Sequence, residues 1–165
     1  MVDVAHPGER IPMASDHAGF EMKERLRGVL TDLGYEVEDI GTHSTASTDY
    51  ADYAHPLAHE VSTGVAKRGI LLCGTGLGMS YVANRYPGVR ASVAWTSEIA
   101  ALARKHNDSN VLCVPARFLS DEDAIAIVQT WLDTGFEGGR HELRVEKIER
   151  DDDSDDYHHS VEPRT

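Results

Sequence analysis

The sequence predicts an α/β domain in which helices cover both faces of a parallel sheet of about five strands. Three observations support this prediction. Short apolar segments alternate with amphipathic segments along residues 10–150. Residues 69–72 are a continuous apolar run, which is typical of a strand buried on both faces of a parallel sheet. Turn residues separate the segments, and segments of this length suit the helical crossovers that parallel strands require.

Strands and helices are predicted in simple alternation. Apolar or alternating runs that end at turn residues indicate the strands, and apolar side chains three to four residues apart indicate the helices. The predicted strands are residues 11–14, 35–40, 69–72, 89–95 and 111–114. The predicted helices are residues 20–33, 52–65, 79–85, 98–106, 121–133 and 139–150.

Two helices show the pattern most clearly. In the first, the apolar face consists of Met22, Leu26, Val29, Leu30 and Leu33, and Gly34 stops the helix. The helix over residues 121–133 has Ile125, Val128 and Leu132 on one face. Both faces are wide enough to pack on a sheet, as the α/β prediction requires.

The composition limits the classes of function. The chain has 165 residues, of which 41% are hydrophobic and 27% charged, and this suits one globular domain. Sixteen Lys and Arg against 28 Asp and Glu give a net charge of −12, which argues against nucleic-acid or anionic-membrane binding. Neither a membrane-spanning run nor the apolar part of a secretory signal is visible. Two cysteines in apolar surroundings predict free thiols and a cytoplasmic location.

The last fifteen residues differ in composition from the rest. Residues 151–165 contain six acidic residues and one arginine, a charge of −5, with almost no apolar side chains. Such a segment buries too little surface to offset its ordering entropy. We therefore predict a single domain at residues 1–150 and a disordered, solubilising tail. His158 and His159 in this tail are interpreted as solvated rather than metal-binding.

A glycine-rich turn follows the third predicted strand. Gly74, Gly76 and Gly78 permit positive φ and allow backbone N–H groups to converge on an anion. The G-x-G-x-G spacing differs from the dinucleotide fingerprint G-x-G-x-x-G, and the acid expected about 20 residues later is missing. No G-K-[ST] sequence follows either. An anion-binding nest without nucleotide is the favoured interpretation, and a plain tight turn is the alternative.

Cys73 stands at the edge of this turn. Neighbouring N–H groups and the dipole of the following helix would favour its thiolate form, which could act as a nucleophile or as a base. Thr75 adds a hydroxyl over the same anion site. Cys113, inside a predicted strand, is interpreted as a core residue.

Other polar residues lie at or near strand ends. Asp16 and His17 follow the first strand, where ligands bind in parallel sheets. The group His106, Asn107 and Asp108 comes just before the fifth strand, and His106 could also serve only as a charge at a helix end.

Two arginines and three further histidines complete the candidates. Arg140 and Arg144 are four residues apart and would present two guanidinium groups on one side of a helix. This suits a phosphate, although a solvated helix face has the same spacing. His55 and His59 lack a third ligand at zinc spacing and are interpreted as surface residues, and the role of His43 stays open.

Five strings together resemble the ribose-5-phosphate isomerase B family, which is grouped with galactose-6-phosphate isomerase subunits. They are SDHAGF (15–20), GILLCGTGLGMS (69–80), ANRYPGVRA (83–91), HNDSNVL (106–112) and GGRHELRV (138–145). The resemblance covers roughly residues 10–150. It implies a Rossmann-like α/β/α fold, no cofactor and no metal, and interconversion of D-ribose 5-phosphate and D-ribulose 5-phosphate through an enediolate. It also implies a homodimer or a dimer of dimers, in which residues 106–117 reach the Cys73 site of a partner subunit.

The resemblance also implies roles for individual residues. Cys73 matches the base; other members carry a glutamate where this chain has Met79. His106 matches the acid that opens the sugar ring, and Thr75 helps to move the hydroxyl proton. The residues that match substrate contacts are Asp16, His17, Gly74, Thr75, Gly76, Leu77, Gly78, Asn107, Arg117, Arg140 and Arg144, the three arginines as phosphate ligands.

Two alternatives stay open. An isomerase of a four-carbon or six-carbon sugar phosphate would share the fold and the base. A nucleotide-binding module without catalysis is a rival from another class, and the glycine spacing argues against it.

Overall fold

The computed structural model describes residues 3–149 and confirms the predicted α/β fold. All strands pair in parallel, in the order β2-β1-β3-β5-β4. The strands are β1 (Arg10–Ser15), β2 (Glu36–Gly41), β3 (Gly69–Cys73), β4 (Ala91–Val93) and β5 (Val111–Pro115). The tail predicted at residues 151–165 lies outside the described residues.

Five helices connect or follow the strands. They are α1 (Phe20–Asp32), α2 (Tyr50–Ser62), α3 (Leu77–Ala83), α4 (Ser97–Asn107) and α5 (Asp121–Leu132). Short helical turns end the described chain: a 3₁₀ turn (Gly139–His141), α6 (Glu142–Glu146) and a second 3₁₀ turn (Lys147–Glu149). Within residues 3–149, no helix has both the length and the apolar character needed to cross a membrane.

The sheet separates two apolar cores, because successive side chains of a strand point to opposite faces. One core joins the sheet to α1, α4 and α5, with Trp131 fully buried in it. The other joins the sheet to α2 and α3 and contains both Cys73 and Cys113 as free thiols. Every residue of the central strands β3 and β5 is buried, as their apolar runs predict.

Two predicted elements differ from the structure. The strand predicted at residues 89–95 is reduced to Ala91–Val93 at the sheet edge, because the Arg90 N–H bonds to the Asn110 side chain at 2.8 Å instead of to a strand. The helix predicted at residues 139–150 is present as one contiguous helical segment over residues 139–149, but its hydrogen bonding changes from 3₁₀ to α and back to 3₁₀. The other boundaries shift by one to three residues, which is usual for helix and strand ends.

The chain order of the strands creates a switch point between β1 and β3. After β1 the chain moves outward to β2, and after β2 it returns past β1 to β3. The connections that leave β1 and β3 therefore diverge, and in open parallel sheets such a divergence forms a crevice at the carboxyl ends of the two strands. Ligands bind in this crevice in open parallel sheets.

Candidate active site

The segment after β1 forms one wall of the crevice at the switch point. Asp16 is buried, and its Oδ1 accepts the N–H groups of Ala18 at 2.9 Å and Gly19 at 3.1 Å. A Cβ at Gly19 would lie 2.7 Å from the Leu72 Cβ and 2.8 Å from its carbonyl oxygen. Glycine therefore allows this turn to pack directly on the end of β3, one residue before Cys73.

Cys73 is the last residue of β3 and is 4% exposed. Its Sγ accepts the N–H of Gly76 at 3.1 Å. The sulfur therefore has a backbone hydrogen-bond donor at the start of the glycine-rich turn. The Thr75 hydroxyl oxygen accepts the Leu77 N–H at 3.2 Å, and the Thr75 side chain is exposed at the mouth of the turn.

The three glycines of the turn have different reasons to be glycine. Only Gly76 has positive φ, at 74°. A Cβ at Gly74 would lie 3.1 Å from the Arg117 side chain, and a Cβ at Gly78 would lie 2.7 Å from the Tyr50 ring. The prediction that all three provide positive φ is therefore wrong for Gly74 and Gly78, which are small because neighbouring side chains approach closely.

Arg117 lies at the same turn of its own chain. The Arg117 N–H bonds to the Gly74 carbonyl at 3.1 Å, and the Ala116 N–H bonds to the Cys73 carbonyl at 2.9 Å. These bonds hold the turn after β5 against the turn after β3. Arg117 therefore stands beside the Cys73 of its own chain, and the expected reach of residues 106–117 to a partner subunit stays a prediction.

His17 is held by the loop between β2 and α2. The His17 N–H donates to Thr48 Oγ1 at 3.1 Å, and His17 Nδ1 lies 3.2 Å from both the N and the O of Thr48. The other ring nitrogen, Nε2, takes no part in these contacts. The His17 side chain as a whole is half-buried.

The remaining candidates, His106 and Asn107, lie at the other end of the strands, the amino end. Helix α4 begins after the carboxyl end of β4 and ends at Asn107, before the first residue of β5. Cys73 pairs with Pro115 at the other end of β5. Four residue steps at about 3.3 Å each put roughly 13 Å or more between His106 and the Cys73 of the same chain. The sequence order suggested that the group of His106, Asn107 and Asp108 lies near the ligand-binding ends of the strands, which are the carboxyl ends. The fold places this group at the amino ends.

His106 belongs to a cluster with His141, Glu137 and Arg140 near the amino ends of the strands. Its ring stacks on the ring of His141 with centroids 4.3 Å apart and planes inclined by 9°. Limited solvation, together with the positive charges of His106, Arg140 and Arg144, lowers the pKa of His141, and Glu137 opposes this in part. Arg140 and Arg144 lie on consecutive turns of one helical segment, as predicted, and the positive charges of both lower the pKa of His141.

The same cluster contains the one group of potential metal ligands among residues 3–149. Ligand atoms of His106, Glu137 and His141 lie within 4.8 Å of one another. An imidazole lone pair lies in the plane of its ring, and the two rings are nearly parallel and stacked. One ion cannot lie in both planes, so this arrangement does not suit joint coordination by the two histidines.

Three residues of these sites have contacts that the sequence did not predict. Thr48 binds His17, Tyr50 covers Gly78, and His141 stacks on His106. The string GGRHELRV contains His141, and a histidine beside two glycines was the available signal. Thr48 and Tyr50 carry no local signal, because their contacts join segments 28 to 31 residues apart.

Comparisons with known proteins agree with this geometry. Residues 11–148 match the family described as Ribose/Galactose Isomerase. A ribose-5-phosphate isomerase B of Escherichia coli is 44% identical over 140 residues, which cover 85% of this chain and 94% of the relative.

Solved structures are similar over the same region. A ribose 5-phosphate isomerase of Thermotoga maritima is 50% identical with a TM-score of 0.83, covering 86% of this chain and 97% of that chain. A ribose-5-phosphate isomerase B of Mycoplasma genitalium, solved with bound ribulose-5-phosphate, is 40% identical with a TM-score of 0.83, covering 87% and 96%. The match spans both the crevice with Cys73 and the cluster with His106, and the chain belongs to the ribose/galactose isomerase family.

Proposed function

We propose that this protein interconverts D-ribose 5-phosphate and D-ribulose 5-phosphate. The observation that carries the proposal is Cys73 at the switch point, with its sulfur bonded to the Gly76 N–H and with Arg117 beside it. A base next to converging N–H groups and a cation suits proton transfer on an anionic sugar phosphate. The relative solved with ribulose-5-phosphate supports the choice of substrate.

In the proposed reaction, the Cys73 thiolate removes the C2 proton of the open-chain aldose. The bonding electrons form the C1–C2 double bond, and negative charge develops on the O1 oxygen. Backbone N–H groups of residues 74–78 stabilise this enediolate. Thr75 helps to move the hydroxyl proton from O2 to O1, and the Cys73 thiol returns its proton to C1. The net change is one proton moved from C2 to C1 and one from O2 to O1, which requires no oxidant.

Arg117, Arg140 and Arg144 are proposed as phosphate ligands. Phosphate lies remote from the reacting carbons, so its binding energy can orient them. Asp16, His17 and Asn107 are proposed to bind the sugar hydroxyls. In one chain, Arg117 stands at the crevice while Arg140 and Arg144 stand at the other sheet edge with Asn107.

We propose that a second copy of the chain completes the site. A general acid must approach within about 3 Å of the proton that it transfers, and His106 lies at the opposite sheet edge from its own Cys73. In a two-fold dimer each subunit can place its His106 cluster against the crevice of the other. Exposed apolar side chains follow the carboxyl ends of the strands and suit such an interface: Leu77, Tyr81, Trp95 and Phe118.

A cytoplasmic location is proposed with this activity. The support is that Cys73 and Cys113 are both free thiols, as is usual in a reducing compartment.

An isomerase assay across aldose phosphates of four, five and six carbons tests the substrate. We expect the highest kcat/KM for ribose 5-phosphate. Equal or higher kcat/KM for a tetrose or hexose phosphate would move the assignment to another sugar phosphate of the same family. Thermal stabilisation by NAD or ATP but not by ribose 5-phosphate, without turnover of any aldose phosphate, would favour a nucleotide-binding module.

A further inference from the structure

We propose that His141 is a positioning residue for the ring-opening step, because its imidazole holds the imidazole of His106 in place by stacking. The proposal rests on the role of His106 as the acid that opens the sugar ring.

The stacked pair is built into the fold. His141 is 6% exposed, whereas His106 on the last turn of α4 is half-buried and open on its other side. Gly138 and Gly139 both have positive φ, at 64° and 57°, and turn the chain back toward α4. The Glu137 N–H bonds to the carbonyl of Lys105 at 3.1 Å. This backbone bond fixes the His141 segment beside the residue that precedes His106.

The surroundings of His141 favour a neutral ring. Its Nε2 lies 3.5 Å from the Arg140 Nε–H, a long contact that needs a lone pair on Nε2. Limited solvation, followed by the nearby charges of His106, Arg140 and Arg144, lowers the pKa of His141, and the Glu137 carboxylate 3.8 Å away opposes this only in part. A neutral aromatic face can support a protonated imidazole above it, as in other contacts of a cation with a ring. A second imidazolium would repel it.

Positioning matters because ring opening needs a proton delivered to the ring oxygen along a hydrogen bond. The His106 side chain is at a helix end, where its imidazole has rotational freedom. Stacking on a buried ring removes the rotation that would turn the donor nitrogen away. Loss of the stack should therefore slow ring opening and leave proton transfer at Cys73 intact.

Two reactions separate these steps. Isomerisation of ribose 5-phosphate requires ring opening, because this aldose is mainly a furanose. Ribulose 5-phosphate is open-chain, because phosphate blocks its 5-hydroxyl, so deuterium exchange at its C1 in heavy water needs only the base and the nest. The variants are His141→Ala, which removes the stacked ring, and His141→Phe, which keeps a flat ring. His106→Ala is the reference, and thermal melting checks that each variant is folded.

We expect His141→Ala to lower kcat for ribose 5-phosphate by about tenfold or more, within the range for impaired acid catalysis. Its exchange rate at C1 of ribulose 5-phosphate should stay close to wild type, and His141→Phe should recover most of the lost kcat. An equal loss in both reactions would show that His141 supports the fold or phosphate binding, and would overturn the proposal. Unchanged kcat in His141→Ala, or no recovery in His141→Phe, would also overturn it.

The reference variant distinguishes failure of the underlying function. If His106→Ala isomerises ribose 5-phosphate like wild type, His106 is not the ring-opening acid, and the positioning role is lost with it. If His106→Ala is slow on ribose 5-phosphate but exchanges deuterium normally, the role of His106 stands and the result for His141 decides the inference alone.

Discussion

At the scale of single residues, two cysteines of similar burial have different environments. Cys73 ends β3 and accepts the Gly76 N–H, whereas Cys113 lies in the middle of β5 and is fully buried. Burial raises the pKa of the Cys113 thiol, and the nearby Cys73 adds to this effect. Of the two thiols in one core, Cys73 thus has a backbone hydrogen-bond donor at the end of its strand, whereas the raised pKa of Cys113 keeps that thiol protonated.

Replacing each cysteine by alanine tests this difference. Cys73→Ala should lower kcat by about 10²–10⁴-fold, as loss of a general base does, with little change in the binding of a phosphate competitor. Cys113→Ala is the matched control and should lose on the order of 1 kcal/mol of stability while kcat stays close to wild type. Iodoacetamide should alkylate Cys73 only, and ribose 5-phosphate should protect it. More than about a tenth of wild-type kcat in Cys73→Ala would contradict its role.

At the scale of elements, α1 is placed by contacts with two strands. A buried lysine, Lys23, binds Asp39 near the end of β2 at 2.6 Å and Glu24 at 2.9 Å. Gly19, just before the helix, packs on the end of β3. The segment that holds Asp16 and His17 is therefore fixed against the sheet at the start of α1.

Two glycines on this element should respond oppositely to alanine. Gly19 has φ of −95°, which alanine tolerates, so Gly19→Ala tests the close approach to the Leu72 backbone alone. We expect a loss of about 1–3 kcal/mol from overpacking and a decrease in kcat/KM. A Cβ at Gly28, inside α1, would have no neighbouring atom within 4 Å. Gly28→Ala should therefore raise the free energy of unfolding by about 0.5–1 kcal/mol, because alanine is more stable than glycine inside a helix. Urea unfolding measures both, and equal stability of the two variants would refute the packing argument.

The pair between α1 and β2 makes stability depend on pH. Burial alone would raise the pKa of Asp39, but hydrogen bonds from Lys23 and the Gly41 N–H, with the charges of Lys23 and His43, lower it below its usual value. A carboxylate with a lowered pKa stabilises the fold above the unfolded pKa of about 3.9 and loses this effect as pH falls through the folded pKa.

Asp39→Asn should therefore be less stable than wild type at pH 7, by about 1–3 kcal/mol, because the buried Lys23 ammonium loses one of its two carboxylate partners and keeps only Glu24. Urea unfolding between pH 7 and pH 3 should show the difference shrinking below about pH 4. A difference that is constant over this range would mean that the Asp39 charge does not contribute to stability.

At the scale of the whole molecule, the proposed site combines residues from two subunits. One subunit contributes the carboxyl ends of its strands, and the other contributes the amino ends. The crevice with Cys73 is at the carboxyl edge, and the cluster of His106, Arg140 and Arg144 is at the amino edge. Two-fold symmetry would bring the crevice of each subunit to the His106 cluster of its partner, so that every contact occurs twice.

Mixing two inactive variants tests the shared site. Cys73→Ala lacks the base, and the double variant His106→Ala, Asn107→Ala lacks the acid and its neighbour. In a mixed dimer one site collects both lesions and the other is intact, so random reassortment of equal amounts should restore roughly a quarter of the wild-type sites. Each variant refolded alone is the control. No gain in activity, with mixed dimers confirmed by mass spectrometry, would place the whole site within one chain.

The sequence by itself determined the α/β architecture and indicated which residues follow the ends of the central strands. Strand and helix signals are local: the apolar run at residues 69–72 and the apolar face of residues 20–33 depend only on near neighbours along the chain. The glycine-rich turn after Cys73 is equally local, so its site could be predicted before any fold was known. The residues of SDHAGF could be assigned to the same edge because strand ends in a parallel sheet meet there.

Only the tertiary structure decided which residues lie at the same end of the strands and why particular glycines are required. The position of His106 depends on the direction in which α4 runs back along the sheet, and the stacking of His141 depends on a turn made about 30 residues later. Gly74 and Gly78 are small because of Arg117 and Tyr50, which approach from distant segments. Contacts of this kind depend on packing between elements, and spacing along the chain does not encode them.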